Sequence, residues 1–153
     1  MPGTYTQVYI QIVFAVKGRA NLINDKIKKD VHCYITGIIN GKKQKPIIVN
    51  GMPDHVHIFV ELKPSMSISD LVRDIKCNSS KFINEQQLTK NKFEWQNGYG
   101  AFSYSKSQID RVYKYIQNQE AHHYKKTFKE EYIEFLNAFE IEFDEKYLFE
   151  FYD

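Results

Sequence analysis

The sequence predicts an α+β fold from three observations: a strictly alternating apolar segment near its start, two long stretches with helical apolar spacing, and a hairpin pattern between them. Tyr5 to Val16 alternates, with Val8, Ile10, Ile12, Phe14 and Val16 on one side, and reads as a long strand at or near a sheet edge. Asn24 or Asp25 caps a helix whose apolar face is Ile27, Val31, Tyr34, Ile35 and Ile38, closed by Gly41-Lys42-Lys43. Pro46 to Val49 forms a second strand, and Gly51-Met52-Pro53-Asp54 turns the chain into a third over His55 to Leu62. Ser67-Ile68-Ser69-Asp70 is a capping-box pattern. It opens a helix buried through Ile68, Leu71, Val72, Ile75, Ser79, Phe82 and Ile83. Residues 85 to 98 are a polar loop around Trp95, Ala101 to Tyr104 a last short strand, and Ser107 or Asp110 starts a third helix running to about Tyr124. The order β-α-β-β-α-β-α predicts a ferredoxin-like (RRM-like) antiparallel sheet with helices on one face and an open catalytic face.

Composition narrows the class. With 153 residues, 42% hydrophobic and 26% charged, the chain forms one ordinary globular domain. No segment has the length of a membrane span, and Met1-Pro2-Gly3-Thr4 lacks a basic-then-apolar leader, so a cytoplasmic location without membrane association is expected. Cys33 and Cys77 form no CxxC motif and read as buried thiols of a reducing compartment. The net charge of +2 conceals an asymmetry: residues 1–128 carry +9 and residues 129–153 carry −7. The basic body suits a polyanion; the acidic, aromatic extension does not, and no chemical role attaches to it. Candidate phosphate contacts are Lys17, Arg19, Arg73, Lys76 and Lys81, with Lys42, Lys43 and Lys45 as a looser group.

Asp54-His55-Val56-His57 heads the third strand. Alternation puts His55, His57, Phe59 and Glu61 on one face and Val56, Ile58, Val60 and Leu62 on the core face. Two imidazoles side by side supply most of a metal site. A second element lies on the third helix, Tyr115-Ile116-Gln117-Asn118-Gln119, where two Tyr-x-x-x-Gln pairs overlap. Ile109, Val112, Tyr113 and Ile116 share one face, which makes Tyr113 core, whereas Tyr115, Gln119, His122 and Lys126 form a separate stripe. A metal held by His55, His57 and the Gln119 carbonyl would polarise a phosphate for in-line attack by Tyr115. No P-loop, GxGxxG or serine-nucleophile motif competes.

His55-Val56-His57 resembles the His-hydrophobic-His signature of HUH single-strand nucleases. Together with Tyr115 to Gln119 it closely resembles the single-tyrosine transposases of the IS-two-hundred type. The similarity extends over the Tyr5-to-Arg19 strand, the Met52-Pro53-Asp54 turn and the Gly98-to-Ser105 segment, most of residues 5–123. The resemblance implies an obligate homodimer with Mg²⁺ or Mn²⁺ as cofactor that cleaves and rejoins single-stranded DNA at hairpin-marked ends. By motif, His55, His57 and Gln119 are its metal ligands and Tyr115 its nucleophile. On this reading residues 1–128 are the transposase domain and 129–153 an acidic aromatic extension of it.

Alternatives stay open at this point. A host-adopted relative that processes repeat hairpins would carry the same residues. A non-catalytic nucleic-acid-binding ferredoxin-like module would place aromatics such as Phe59 on the open face to stack bases. A zinc phosphoesterase would use the imidazoles but leave Tyr115 unexplained. The sequence also leaves the subunit origin of Tyr115 undecided, in cis or in trans.

Overall fold

In the computed structural model, which describes residues 2–152, four antiparallel strands make one sheet in the order β2-β3-β1-β4. They are β1 (Tyr9–Ala15), β2 (Lys45–Met52), β3 (His55–Glu61) and β4 (Gly100–Tyr104). The helices are α1 (Asp25–Gly41), α2 (Ile68–Glu85), α3 (Ile109–Gln117), α4 (Gln119–His123) and α5 (Phe128–Ala138). The α+β class and the ferredoxin-like strand order are those expected from the sequence.

The long apolar strand does not lie at an edge. Ile10 to Phe14 are nearly or fully buried because β1 runs between β3 and β4, and the free edges belong to β2 and β4. Tyr5 precedes the strand and is almost fully exposed. Ile10, Ile12, Phe14, Val56, Ile58 and Val60 meet Val31, Ile35 and Ile39 of α1 and Leu71, Val72, Ile75 and Ile83 of α2 in the main core. Trp95 fills its end, donating its indole N–H to Ser79 Oγ at 2.9 Å.

Sequence signals act where expected at the caps. Asn24 accepts from Lys26 N–H, and Ser67 accepts from Asp70 N–H. The β2–β3 hairpin forms, and Gly51 is required in it: a Cβ there would lie 2.2 Å from the His55 carbonyl oxygen. Helix faces differ in detail. In α1, His32 and Ile39 are buried, while Tyr34 turns outward to stack on Phe82 at 4.0 Å. Cys33 and Cys77 are exposed, on the solvent sides of α1 and α2, rather than buried.

The histidine face is covered, not open. Val112 and Ile116 of α3 pack on Tyr9 and Phe59. Phe135 of α5 and Phe139, which caps that helix, pack on Phe102 of β4, and Phe149 closes over Phe128 and Tyr132. The aromatic residues of the C-terminal segment thus bury apolar surface that a six-element core would leave wet. Phe59 lies beneath α3 with no exposure, so it offers no stacking platform for a base.

Candidate active site

The third helix is interrupted. Asn118 departs from helical geometry (φ −97°, ψ 29°) and divides α3 from α4. Asn50 on β2 explains the break, because its Nδ2 donates to the carbonyls of Ile116 at 2.8 Å and Gln117 at 3.2 Å. Those carbonyls lose their helical partners at the interruption and are satisfied by this side chain instead. The offset turns Gln119 inward, where it is fully buried. Tyr113, expected in the core, is 38% exposed; α3 sits on its Val112–Ile116–Tyr115 side, which swings Tyr113 out.

His55, His57, Gln119 and Tyr115 are brought together within one chain. Small partners in the register, Ala15 beside His55 and Val13 beside His57, leave room for both rings. His55 Nδ1 lies 2.7 Å from Asp54 Oδ1, and its ring stacks on Phe128 at 3.8 Å. Its Nε2 faces Gln119 Oε1 at 3.1 Å. His57 Nδ1 lies 2.9 Å from Gln11 Nε2, and Tyr104 donates its hydroxyl to Gln11 Oε1 at 2.8 Å.

At the centre stands a residue to which the sequence reading gave no role: Glu131 on α5. Its Oε1 lies 3.4 Å from His55 Nε2, 3.2 Å from His57 Nε2 and 3.1 Å from His123 Nε2. Its Oε2 accepts from Gln119 Nε2 at 3.1 Å and, in a short hydrogen bond, from the Tyr115 hydroxyl. A signal for it exists in the sequence. Thr127 and Glu130 form a capping box that fixes the start of α5. Phe128, Glu131, Tyr132 and Phe135 then share one helical face, a lone carboxylate inside an apolar stripe.

The electrostatics follow from this crowding. Burial would lower the His55 pKa, but Asp54 and Glu131 on either side outweigh it and raise it to about 9. Burial dominates at His57 and holds its pKa below the usual value despite Glu131. Burial opposes the charge of Glu131, yet the His57, His123 and His55 rings hold its pKa well below the ordinary carboxylate range. Burial and the Glu131 charge push the Tyr115 phenol well above its usual pKa. The site is therefore a buried anion among imidazoles, with a neutral phenol pointing at it.

Two imidazole nitrogens and a carboxylate oxygen lie within 4.8 Å of one another at His55, His57 and Glu131, a donor set that fits a divalent cation. An open cleft of about 440 Å³ borders Tyr115, His123 and Glu131 and is lined by His122, Lys125 and Lys126. His122 stacks on the Tyr115 ring at 4.3 Å.

The basic residues have varied fates. Lys17 pairs with Glu94, Arg73 with Asp70 and the half-buried Asp74, and Lys81 with Glu85, the cations all at exposed positions. Arg19 sits 5.9 Å over the Tyr152 ring. Lys76 is committed inside the fold, donating to the carbonyls of Gln96 at 2.8 Å and Gly98 at 2.6 Å. Its ammonium is engaged by these backbone carbonyls.

Known proteins share this covered four-stranded antiparallel sheet, and their family is one of DNA-processing enzymes. The family model described as "Transposase IS200 like" matches residues 4–119, and the chain belongs to that family. The ISDra2 transposase TnpA of Deinococcus radiodurans is 24% identical over 122 residues, covering 76% of this chain and 87% of that protein. A crystal structure of a candidate transposase from Deinococcus radiodurans R1 superposes with a TM-score of 0.63 at 20% identity, over 78% of this chain and 95% of the other. A REP-associated tyrosine transposase bound to a REP hairpin gives 0.59 at 12% identity, over 80% and 73%. Among the described residues, no helix is long and apolar enough to cross a membrane.

Proposed function

We propose that this chain cleaves and rejoins single-stranded DNA at hairpin-marked ends, with Tyr115 as nucleophile and a 5′-phosphotyrosine as intermediate. The observation that carries this reading is the Tyr115 hydroxyl held on Glu131, which in turn touches both His55 and His57. Attack requires the Tyr115 proton to leave Oη as the phosphorus bond forms, and Glu131 Oε2, its hydrogen-bond acceptor, is the group placed to receive it, against the acidity that the surrounding imidazoles give that carboxylate. His55 Nε2, His57 Nε2, Gln119 Oε1 and Glu131 would hold a divalent ion, Mg²⁺ or Mn²⁺. Bound there, it would neutralise charge on the scissile phosphate and the leaving 3′ oxygen. His122, Lys125 and Lys126 line the cleft through which a phosphate backbone reaches Tyr115.

Residues 129–153 act on this reading as an integral extension of the catalytic domain, 1–128, since Glu131 comes from them. Lys17, Arg19, Arg73 and Lys81 are the proposed backbone contacts outside the cleft. The family resemblance carries a homodimer, for which β2 and β4 offer the free sheet edges.

The test is a denaturing gel with a hairpin-bearing single strand. Wild type should give a covalent protein–DNA adduct, and Tyr115→Phe none, while Tyr113→Phe keeps it. An adduct on Tyr115→Phe overturns the assignment.

A further inference from the structure

Three imidazoles converge on Glu131 Oε1. Besides His55 and His57, His123 places its Nε2 3.1 Å from that oxygen, nearer than either of the other two. The same nitrogen lies 3.2 Å from Gln119 Oε1, which also faces His55 Nε2. The His123 ring packs edge-on against His55 with centroids 4.8 Å apart, and its side chain is 7% exposed. His123 thus contacts both oxygens that the site offers a cation, and burial keeps water from replacing it cheaply.

We propose that His123 is a third imidazole ligand of the divalent ion, so that the centre is a three-nitrogen site completed by Glu131 and selects Mn²⁺ or another first-row transition ion over Mg²⁺. The proposal rests on the metal reading of the site above. Its chemistry is simple. Each Nε2 that now faces Glu131 Oε1 offers a lone pair once it carries no proton, and three such donors meet at one carboxylate oxygen. Mg²⁺ favours oxygen ligands in octahedral array, whereas imidazole raises affinity along the series from Mn²⁺ through Co²⁺ to Zn²⁺. His123 lies on α4, one turn beyond Gln119 and after the break at Asn118.

The experiment uses the full chain stripped with chelator and titrated with Co²⁺ or Mn²⁺ by calorimetry, with the Co²⁺ visible spectrum recorded. Wild type should bind Co²⁺, and His123→Ala should weaken binding on the order of 10- to 100-fold and change the visible band. A hundredfold excess of Mg²⁺ should not displace bound Mn²⁺. Unchanged affinity and spectrum in His123→Ala, alongside weakened binding in His55→Ala, overturns the third-ligand assignment while leaving the metal site intact. No binding of either ion to wild type overturns the metal reading itself. Should His123→Ala fail to fold, pulsed EPR of Mn²⁺ bound to wild type labelled with ¹⁵N-histidine counts the coordinated imidazoles. Three support the proposal and two refute it.

Discussion

Gln11, fully buried at the centre of β1, places its amide 2.9 Å from His57 Nδ1 while the other end of that amide accepts from Tyr104. With the amide so oriented, Nδ1 of His57 accepts and Nε2–H points at Glu131 Oε1, 3.2 Å away. An ion bound at Nε2 needs the other tautomer, with Nδ1–H donating. Rotating the Gln11 amide by half a turn supplies an oxygen to Nδ1 and an N–H to Tyr104, so one side chain serves both states.

Gln11→Leu should therefore abolish this adaptation, at a cost of about 1–3 kcal/mol for the buried His57 and Tyr104 groups that lose their partner. Metal affinity should fall about 10-fold, and ¹⁵N shifts of His57 should no longer change tautomer when ion is added. Gln11→Glu, a permanent acceptor, should restore the Nδ1–H form. An unchanged affinity in Gln11→Leu would remove Gln11 from the positioning role.

Stability of the metal-free protein should depend on pH in two opposite limbs. His55 is raised to about 9 by Asp54 and Glu131 against its burial, so its contribution is complete below pH 6.5 and disappears as pH rises through about 9. His32 is lowered to about 4 by burial and by Lys28, so it favours the fold above pH 6.5 and costs stability as pH falls toward 4. The His32 limb is worth about 3 kcal/mol at 1.36 kcal/mol per pH unit. Urea unfolding should show the alkaline limb flatten in Asp54→Asn and the acid limb flatten in His32→Leu. Identical pH profiles in wild type and variants would show that other groups set the slope.

Asn50→Ala should damage the site more than the fold. Two carbonyls at the end of α3 lose their donor, a cost of about 1–3 kcal/mol if they stay buried. The break at Asn118 then has nothing to hold it, and Gln119 and His123 lose their inward setting. The expected result is a modest drop in the unfolding midpoint together with at least a 10-fold loss of adduct formation. Equal activity in Asn50→Ala would show that the interruption is fixed by other contacts.

Most of the architecture was legible because it depends on local periodicity: alternation marked the strands, and Asn24 and Ser67 marked helix starts. What escaped was decided by distant partners. The central place of β1 depends on which strands pair with it, and alternation alone does not separate an edge strand covered on both faces from a central one. The break in the third helix follows from Asn50, 66 residues earlier than the carbonyl of Ile116 that it caps. Gln119, His55 and His57 were readable as a motif, whereas Glu131 was hidden by the acidic composition around it. Within that acidic segment, only its position on the Phe128–Tyr132–Phe135 face sets it apart from Glu130 and Glu134.

The placement of Tyr115 also predicts how subunits share work. Within one chain, Tyr115 Oη reaches Glu131 Oε2, and Glu131 Oε1 reaches His57, so a single polypeptide can assemble every proposed catalytic group. α5 reinforces this arrangement: Phe135 packs on the Tyr115 ring at 5.7 Å and on the Phe102 ring at 5.1 Å, tying the tyrosine to its own sheet. Exchanging Tyr115 between partners would mean withdrawing it from Glu131, His122 and Phe135 together. In a homodimer, mixing Tyr115→Phe subunits with His57→Ala subunits should therefore restore no cleavage, since each polypeptide lacks one necessary group. Recovered cleavage to roughly a quarter or half of wild type would show that α3 crosses to the partner in the working complex. Light scattering under the same conditions must show a dimer for that result to bear on exchange, and a monomer that still cleaves would demonstrate the cis site directly.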